Sequence, residues 1–126
     1  MQINMLSVFT EQIDAMRRFY ADVLGMEVGA DLGKYVEFEG VGVRFALCER
    51  QVMSEAVDAE RFGKPATGRP FSLAFACGDA DELASEYGRV TAAGAEAVRP
   101  PGDMPWGQRA AFFADPDGNV HELFVA

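Results

Sequence analysis

Few side chains in this sequence can do chemistry. There is one histidine, His121, and there are two cysteines, Cys48 and Cys77. Both cysteines lie inside apolar, strand-like segments, where a free thiol behaves as a small buried hydrophobe, so a disulfide between them is open but unforced. One histidine and two dispersed cysteines make neither a zinc finger nor a CxxC pair, and no GxGxxG, GxxxxGK or GxSxG occurs. What remains is a carboxylate, Glu122, within Val120-His121-Glu122-Leu123-Phe124, a guanidinium, Arg109, and an indole, Trp106, between Pro105 and Gly107. A carboxylate among apolar neighbours serves as a general base, a metal ligand or the counter-charge of a cation. An indole on a loop stacks on planar or cationic groups, or fills a core.

The chain that must position these groups has 126 residues, 49% apolar and 25% charged, the proportions of a folded globular chain with one core. Its charge of −9 and the absence of any Lys/Arg block exclude nucleic acid as a partner. No apolar run approaches the roughly 18 residues of a membrane span, and Met1-Gln2-Ile3-Asn4 lacks the features of a signal peptide. A cytoplasmic protein with no membrane association is expected.

Residues 3–9 read as a strand. From Gln12, the apolar positions Ile13, Met16, Tyr20, Val23 and Leu24 recur at helical spacing, and Gly25 sits at the C-terminal cap position. Residues 26–28, 34–39 and 43–49 follow as three strands rich in Val, Phe and Tyr. Residues 50–70 are charged, then rich in Gly and Pro, and read as a connection carrying a helical turn. The pattern then restarts. Residues 71–77 form a strand, Asp79 with Glu82 resembles a capping box, and Leu83, Tyr87 and Val90 mark a helix ended by Gly94. Residues 96–98, 109–114 and 120–125 are the last three strands.

The halves overlay: Leu24-Gly25-Met26-Glu27-Val28 on Ala93-Gly94-Ala95-Glu96-Ala97-Val98, and Val43-Arg44-Phe45-Ala46-Leu47 on Val120-His121-Glu122-Leu123-Phe124. The expected fold is therefore α+β: one domain, 1–126, of two βαβββ repeats (1–49 and 71–126, joined by 50–70). Their mixed sheets would curve around a central cleft with the helices on the outer face. Asp115-Pro116-Asp117-Gly118 is turn chemistry. With Pro116 and Asp117 as a two-residue loop, Phe113 would face Val120 and Ala111 would face Glu122. Arg109, Ala111, Phe113, Val120, Glu122 and Phe124 would then share one sheet face. The same reasoning at Gly40-Val41 pairs Phe38 with Val43 and Val36 with Phe45. Strand alternation points His121 away from Glu122, as a sheet-edge residue.

Over essentially its whole length the sequence resembles the vicinal oxygen chelate superfamily of glyoxalases, extradiol dioxygenases, fosfomycin-modifying enzymes and bleomycin-resistance proteins. The resemblance rests on Met16-Arg17-Arg18-Phe19-Tyr20-Ala21-Asp22-Val23-Leu24-Gly25, on Phe71-Ser72-Leu73-Ala74-Phe75, and on Pro105-Trp106-Gly107-Gln108-Arg109 with Ala114-Asp115-Pro116-Asp117-Gly118-Asn119. It implies a homodimer. It also implies four positions for a divalent ion, one on the first and one on the last strand of each half: here Met5, Phe45, Ser72 and Glu122. Only Glu122 matches. A thioether is a soft donor and a phenyl ring offers no usable lone pair, so no metal is expected.

The expected function is metal-independent capture of a small apolar or cationic molecule in a cleft lined by Met5, Phe45, Ser72, Trp106, Arg109, Phe113 and Glu122, with no cofactor. Glu122 would stay wet, shift its pKa, pair with Arg109 or await the ligand. The alternative is a glyoxalase- or dioxygenase-type enzyme using a divalent metal, with Glu122 as ligand or catalytic base.

Overall fold

The computed structural model describes every residue except Val41 and Ala66. Residue contacts divide the chain into two units, Met1–Thr67 and Gly68–Ala126.

The first unit runs β1 (Met5–Thr10), α1 (Ile13–Arg18), a π-helical turn (Phe19–Val23), β2 (Val28–Asp31), β3 (Tyr35–Phe38), β4 (Arg44–Glu49), α2 (Arg50–Ala56) and α3 (Ala59–Phe62). Its sheet has the order β1-β4-β3-β2. β1 is parallel to β4, while β3 is antiparallel to both of its neighbours. The second unit repeats this plan with β5 (Ala74–Cys77), α4 (Ala80–Ala92), β6 (Glu96–Asp103), β7 (Arg109–Ala114) and β8 (Val120–Val125), in the order β5-β8-β7-β6. The α+β class and the doubled βαβββ plan agree with the sequence-based expectation, as two four-stranded mixed sheets.

In the first unit the helical spacing of Ile13, Met16 and Tyr20 produces the buried stripe it predicts, all three being buried. The Tyr20 ring lies 5.9 Å from that of Phe38 and 4.9 Å from that of Phe45. α1 and its π turn therefore cover the sheet face formed by Val36, Phe38, Phe45 and Leu47. The helix does not stay α-helical to its end: Leu24 donates its amide to the Phe19 carbonyl at 3.0 Å, five residues back. In the second unit Leu83 and Val90 are the buried residues of α4, and Tyr87 of the same stripe is half-buried. The capping box forms as expected. Asp79 Oδ1 accepts the Glu82 amide at 2.8 Å, and the Glu82 carboxylate reaches back to the Gly78 amide.

Several boundaries differ from expectation. Residues 50–70 hold two short helices rather than one turn. Asp58 caps the second, accepting the Arg61 amide at 2.8 Å. β2 begins at Val28 instead of ending there. β6 extends through Pro100 and Pro101 to Asp103. Prolines are tolerated there because β6 is an edge strand with register shifts. β5 begins at Ala74 rather than Phe71 because the Leu73 amide bonds the His121 side chain instead of a neighbouring backbone carbonyl.

The largest correction concerns register. β7 and β8 pair Phe112 with Glu122 and Phe113 with His121. The loop has three residues, not two. Asp115 donates its amide to the Asn119 carbonyl at 3.0 Å, the Gly118 amide returns to Asp115 at 2.9 Å, and Gly118 stands at φ 81°. This is a type I turn followed by a left-handed glycine. Met104-Pro105-Trp106-Gly107-Gln108 makes the same loop between β6 and β7, with equivalent bonds of 2.8 and 2.9 Å and Gly107 at φ 95°. One added residue turns every β7 side chain to the other face relative to β8. Between β3 and β4, Phe38 pairs with Phe45 and Val36 with Leu47, a shift of two that preserves the faces. The Gly40-Val41 loop assumed for that hairpin includes Val41, which lies outside the described residues.

Candidate functional site

Sheet alternation separates a core face from an open face in each unit. In the second unit, Glu122 stands opposite Phe112 on β7 and beside Ala74 on β5. Its face therefore comprises Ala110, Phe112, Ala114, Val120 and Phe124 with Ala74 and Ala76, of which Ala110 and Ala114 are buried and the others at least partly exposed around one acid. Ser72 lies just before β5, exposed, and the Glu122 amide donates to the Leu73 carbonyl at 2.9 Å, keeping Ser72 near Glu122. Glu122 is half-exposed, and no group among the described residues bonds its carboxylate. Its half-exposed position avoids the cost of a buried unpaired anion.

Two expected companions of Glu122 belong elsewhere. Phe113 is fully buried on the opposite face, stacked on Phe75 at 6.3 Å and edge-on to His121 at 5.8 Å. Arg109 shares the parity of Phe113, and its guanidinium pairs with Asp103 at 2.9 Å rather than with Glu122. Trp106 is 60% exposed at the tip of the β6–β7 hairpin. Five residue steps along β7 and its approach, roughly 16 Å of extended chain, take the chain from Gly107 to Phe112.

His121 is not an edge residue: β8 is an interior strand and the ring is fully buried. Its Nδ1 accepts the Leu73 amide at 3.2 Å, so the ring proton sits on Nε2, 3.2 Å from Asp115 Oδ2. The same Asp115 carboxylate accepts the amides of Asp117 and Asn119 at 3.0 and 2.9 Å. The turn, the ring and the start of β5 are thereby tied together behind Glu122.

In the first unit the face opposite the helix carries Met5, Ser7 and Phe9 on β1, Tyr35 and Glu37 on β3, and Arg44 on β4, with Ala46 and Cys48 of the same face buried. Phe45 is turned the other way, 7% exposed against Tyr20 and Phe38, because it differs by one residue from the strand positions that share Met5's face. The open face has a polar centre that sequence reasoning missed. Arg44 grips Glu37 with two bonds, Nε to Oε1 at 2.7 Å and Nη2 to Oε2 at 2.8 Å. Tyr35 Oη donates to Glu37 Oε2 at 2.7 Å and lies 3.5 Å from Met5 Sδ. The Arg44 guanidinium, followed by the Tyr35 hydroxyl, holds the Glu37 carboxyl down to about 2. Tyr35, bonded to that anion, is raised above the usual phenol range. An open depression of about 670 Å³ adjoins the pair, with Glu27 and Glu39 among its walls. The available signal was the alternation Tyr35-x-Glu37 and Arg44-x-Ala46 against the apolar Val36, Phe38, Phe45 and Leu47.

These placements bear on a divalent ion. The four positions implied by family resemblance offer a thioether, a core-facing phenyl ring, one hydroxyl and one carboxylate. The β4 residues that do share Met5's face nearest Phe45 are a guanidinium already engaged with Glu37 and a methyl group. The carboxylate on that face, Glu37, is occupied by Arg44 and Tyr35. Among the described residues no three of His, Cys, Asp or Glu are grouped to hold a metal. This donor set does not fit a divalent cation.

Residues 2–123 match the family model described as the Glyoxalase/Bleomycin resistance protein/Dioxygenase superfamily. Among solved structures, a glyoxalase/bleomycin resistance protein/dioxygenase from Nocardioides is 30% identical, with a TM-score of 0.88 over 99% of this chain and 83% of that one. A glyoxalase-related enzyme from Fulvimarina pelagi is 25% identical, with a TM-score of 0.83 over 99% and 88%. A lactoylglutathione lyase from Agrobacterium tumefaciens is 24% identical, with a TM-score of 0.73 over 99% and 93%, a likeness of fold. No curated protein matches the sequence. Among the described residues no helix is long and apolar enough to cross a membrane.

Proposed function

Since the chain belongs to the glyoxalase/bleomycin resistance protein/dioxygenase superfamily, we propose that it binds a small organic cation with an apolar body, without a metal ion and without transforming it. The observation that supports this reading is the isolation of Glu122: a half-exposed carboxylate with no bonded partner among the described residues, set on a face of alanine and phenylalanine side chains. Such a face removes apolar ligand surface from water while the acid supplies one charge-assisted bond. The negative charge of the chain adds faster encounter with cations. A homodimer is part of the same reading.

A thermal-shift screen against divalent metals, thiol conjugates and hydrophobic amines tests it, since a ligand of the folded state raises the midpoint by mass action. Amines should shift the midpoint, and Glu122→Gln should weaken them roughly tenfold or more by removing one charged hydrogen bond at constant volume. Stabilisation by thiol conjugates only in the presence of a metal would favour the metal-dependent alternative with Glu122 as ligand or base. Sedimentation as a monomer at micromolar concentration would remove the dimer.

A further inference from the structure

A separate pocket lies at the C-terminal ends of the parallel strands β1 and β4, with a volume of about 380 Å³, within the usual range of small-molecule sites. Its lining includes Thr10, Glu11, Glu49, Arg50, Ser54 and Phe62, all in the first unit, whereas Glu122 is in the second. Arg50, the first residue of α2, is only 9% exposed. Buried guanidinium groups are normally saturated with acceptors. Here Nη2 is buried and donates no well-directed hydrogen bond among the described residues. Its charge partner is Glu11, whose side chain is 71% exposed. Glu11 is thus a solvent-exposed counter-ion in direct contact with a buried cation. Glu49, the last residue of β4, has a carboxylate that no group among the described residues bonds.

The charges define what would fit. One arginine and two glutamates leave the lining at 1 − 2 = −1, which opposes a bare anion. A molecule with both a carboxylate and an ammonium group answers both signs. Its carboxylate would take the planar fork of Arg50 in place of Glu11, and its ammonium would meet Glu49. Phe62, packed edge-on against Phe9 at 5.2 Å, gives an apolar wall for a short side chain. We propose that this pocket binds a zwitterion of amino-acid size through Arg50 and Glu49.

The test uses the full chain with L-leucine as probe, alongside isovalerate, which keeps only the carboxylate, and isoamylamine, which keeps only the ammonium. Leucine should bind saturably, moving the amide resonances of Thr10, Glu49, Gln51, Ser54 and Gly63, and each half-probe should bind about tenfold more weakly or worse. Glu49→Gln should cost leucine about tenfold while leaving isovalerate unchanged. Arg50→Lys should weaken both leucine and isovalerate. If that variant fails to fold, Glu49→Gln and the half-probes still decide. Leucine leaving those amides unmoved would overturn the proposal. So would isovalerate binding as tightly as leucine, or full leucine affinity in Glu49→Gln.

Discussion

His121 accepts the Leu73 amide proton on Nδ1 at 3.2 Å, from a ring that is fully buried and whose Nε2 faces Asp115. The one histidine of the chain is therefore a joint between β5, β8 and the Asp115–Asn119 turn, on the face turned away from Glu122.

His121→Phe keeps an aromatic ring, somewhat larger than imidazole, and removes both polar contacts. The Leu73 amide would lose its acceptor and Asp115 one donor, for an expected loss of about 3 kcal/mol at roughly 1 to 3 kcal/mol per unsatisfied buried group. Denaturant unfolding measures it, and hydrogen exchange at Leu73 should accelerate well beyond that of β7 amides. A change within about 0.5 kcal/mol, the range of an ordinary surface substitution, would contradict the joint.

The Arg44–Glu37–Tyr35 network has a signed pH dependence. The Glu37 carboxyl is lowered from 4.5 to about 2, so the stability it contributes is fully present above 4.5 and is lost as pH falls through about 2. Carboxyl NMR titration should find Glu37 ionised down to about pH 2. In Arg44→Gln, which removes the largest cause, its midpoint should rise towards the ordinary value. A wild-type midpoint near 4.5 would show that solvent screening cancels the clamp.

Gly107 and Gly118 hold the same left-handed position in the two hairpin loops. Alanine at either should cost about 1 to 2 kcal/mol, and asparagine, which tolerates that conformation better, less. Gly118→Ala should cost slightly more than Gly107→Ala, because its Cβ would meet the end of the Arg69 side chain at 3.2 Å whereas Gly107 has open space. Thermal unfolding checks the order, and equal stability of alanine and glycine would refute the loop assignment.

Phe45 and Glu122 should separate folding from binding. Phe45→Ala opens a cavity beside Tyr20 and Phe38 and should cost about 3 to 5 kcal/mol. Glu122→Gln, on the half-exposed face, should leave the melting curve unchanged while weakening hydrophobic amines. A strongly destabilised Glu122→Gln would make that acid structural instead.

Short-range features were legible. Asp79 and Glu82 predict their own cap because donor and acceptor lie three residues apart, and the Ile13-Met16-Tyr20 stripe predicts its buried face. The open face of the second unit was misread because Pro116-Asp117-Gly118 supports either a two- or a three-residue loop, and only the second puts Gly118 in the left-handed region. That one residue sent Arg109 and Phe113 to the wrong side of Glu122. Phe45 differs for a similar reason, a one-residue offset between the last strands of the two repeats. The Arg44–Glu37 clamp and the His121–Leu73 bond join residues on different strands, so they became visible only with the strand register.

The proposed function requires that these side chains hold no divalent metal. Elemental analysis of protein purified without chelators tests it most directly. We predict substoichiometric transition metal that dialysis removes, with no change in melting temperature; one firmly held ion per chain would contradict the account.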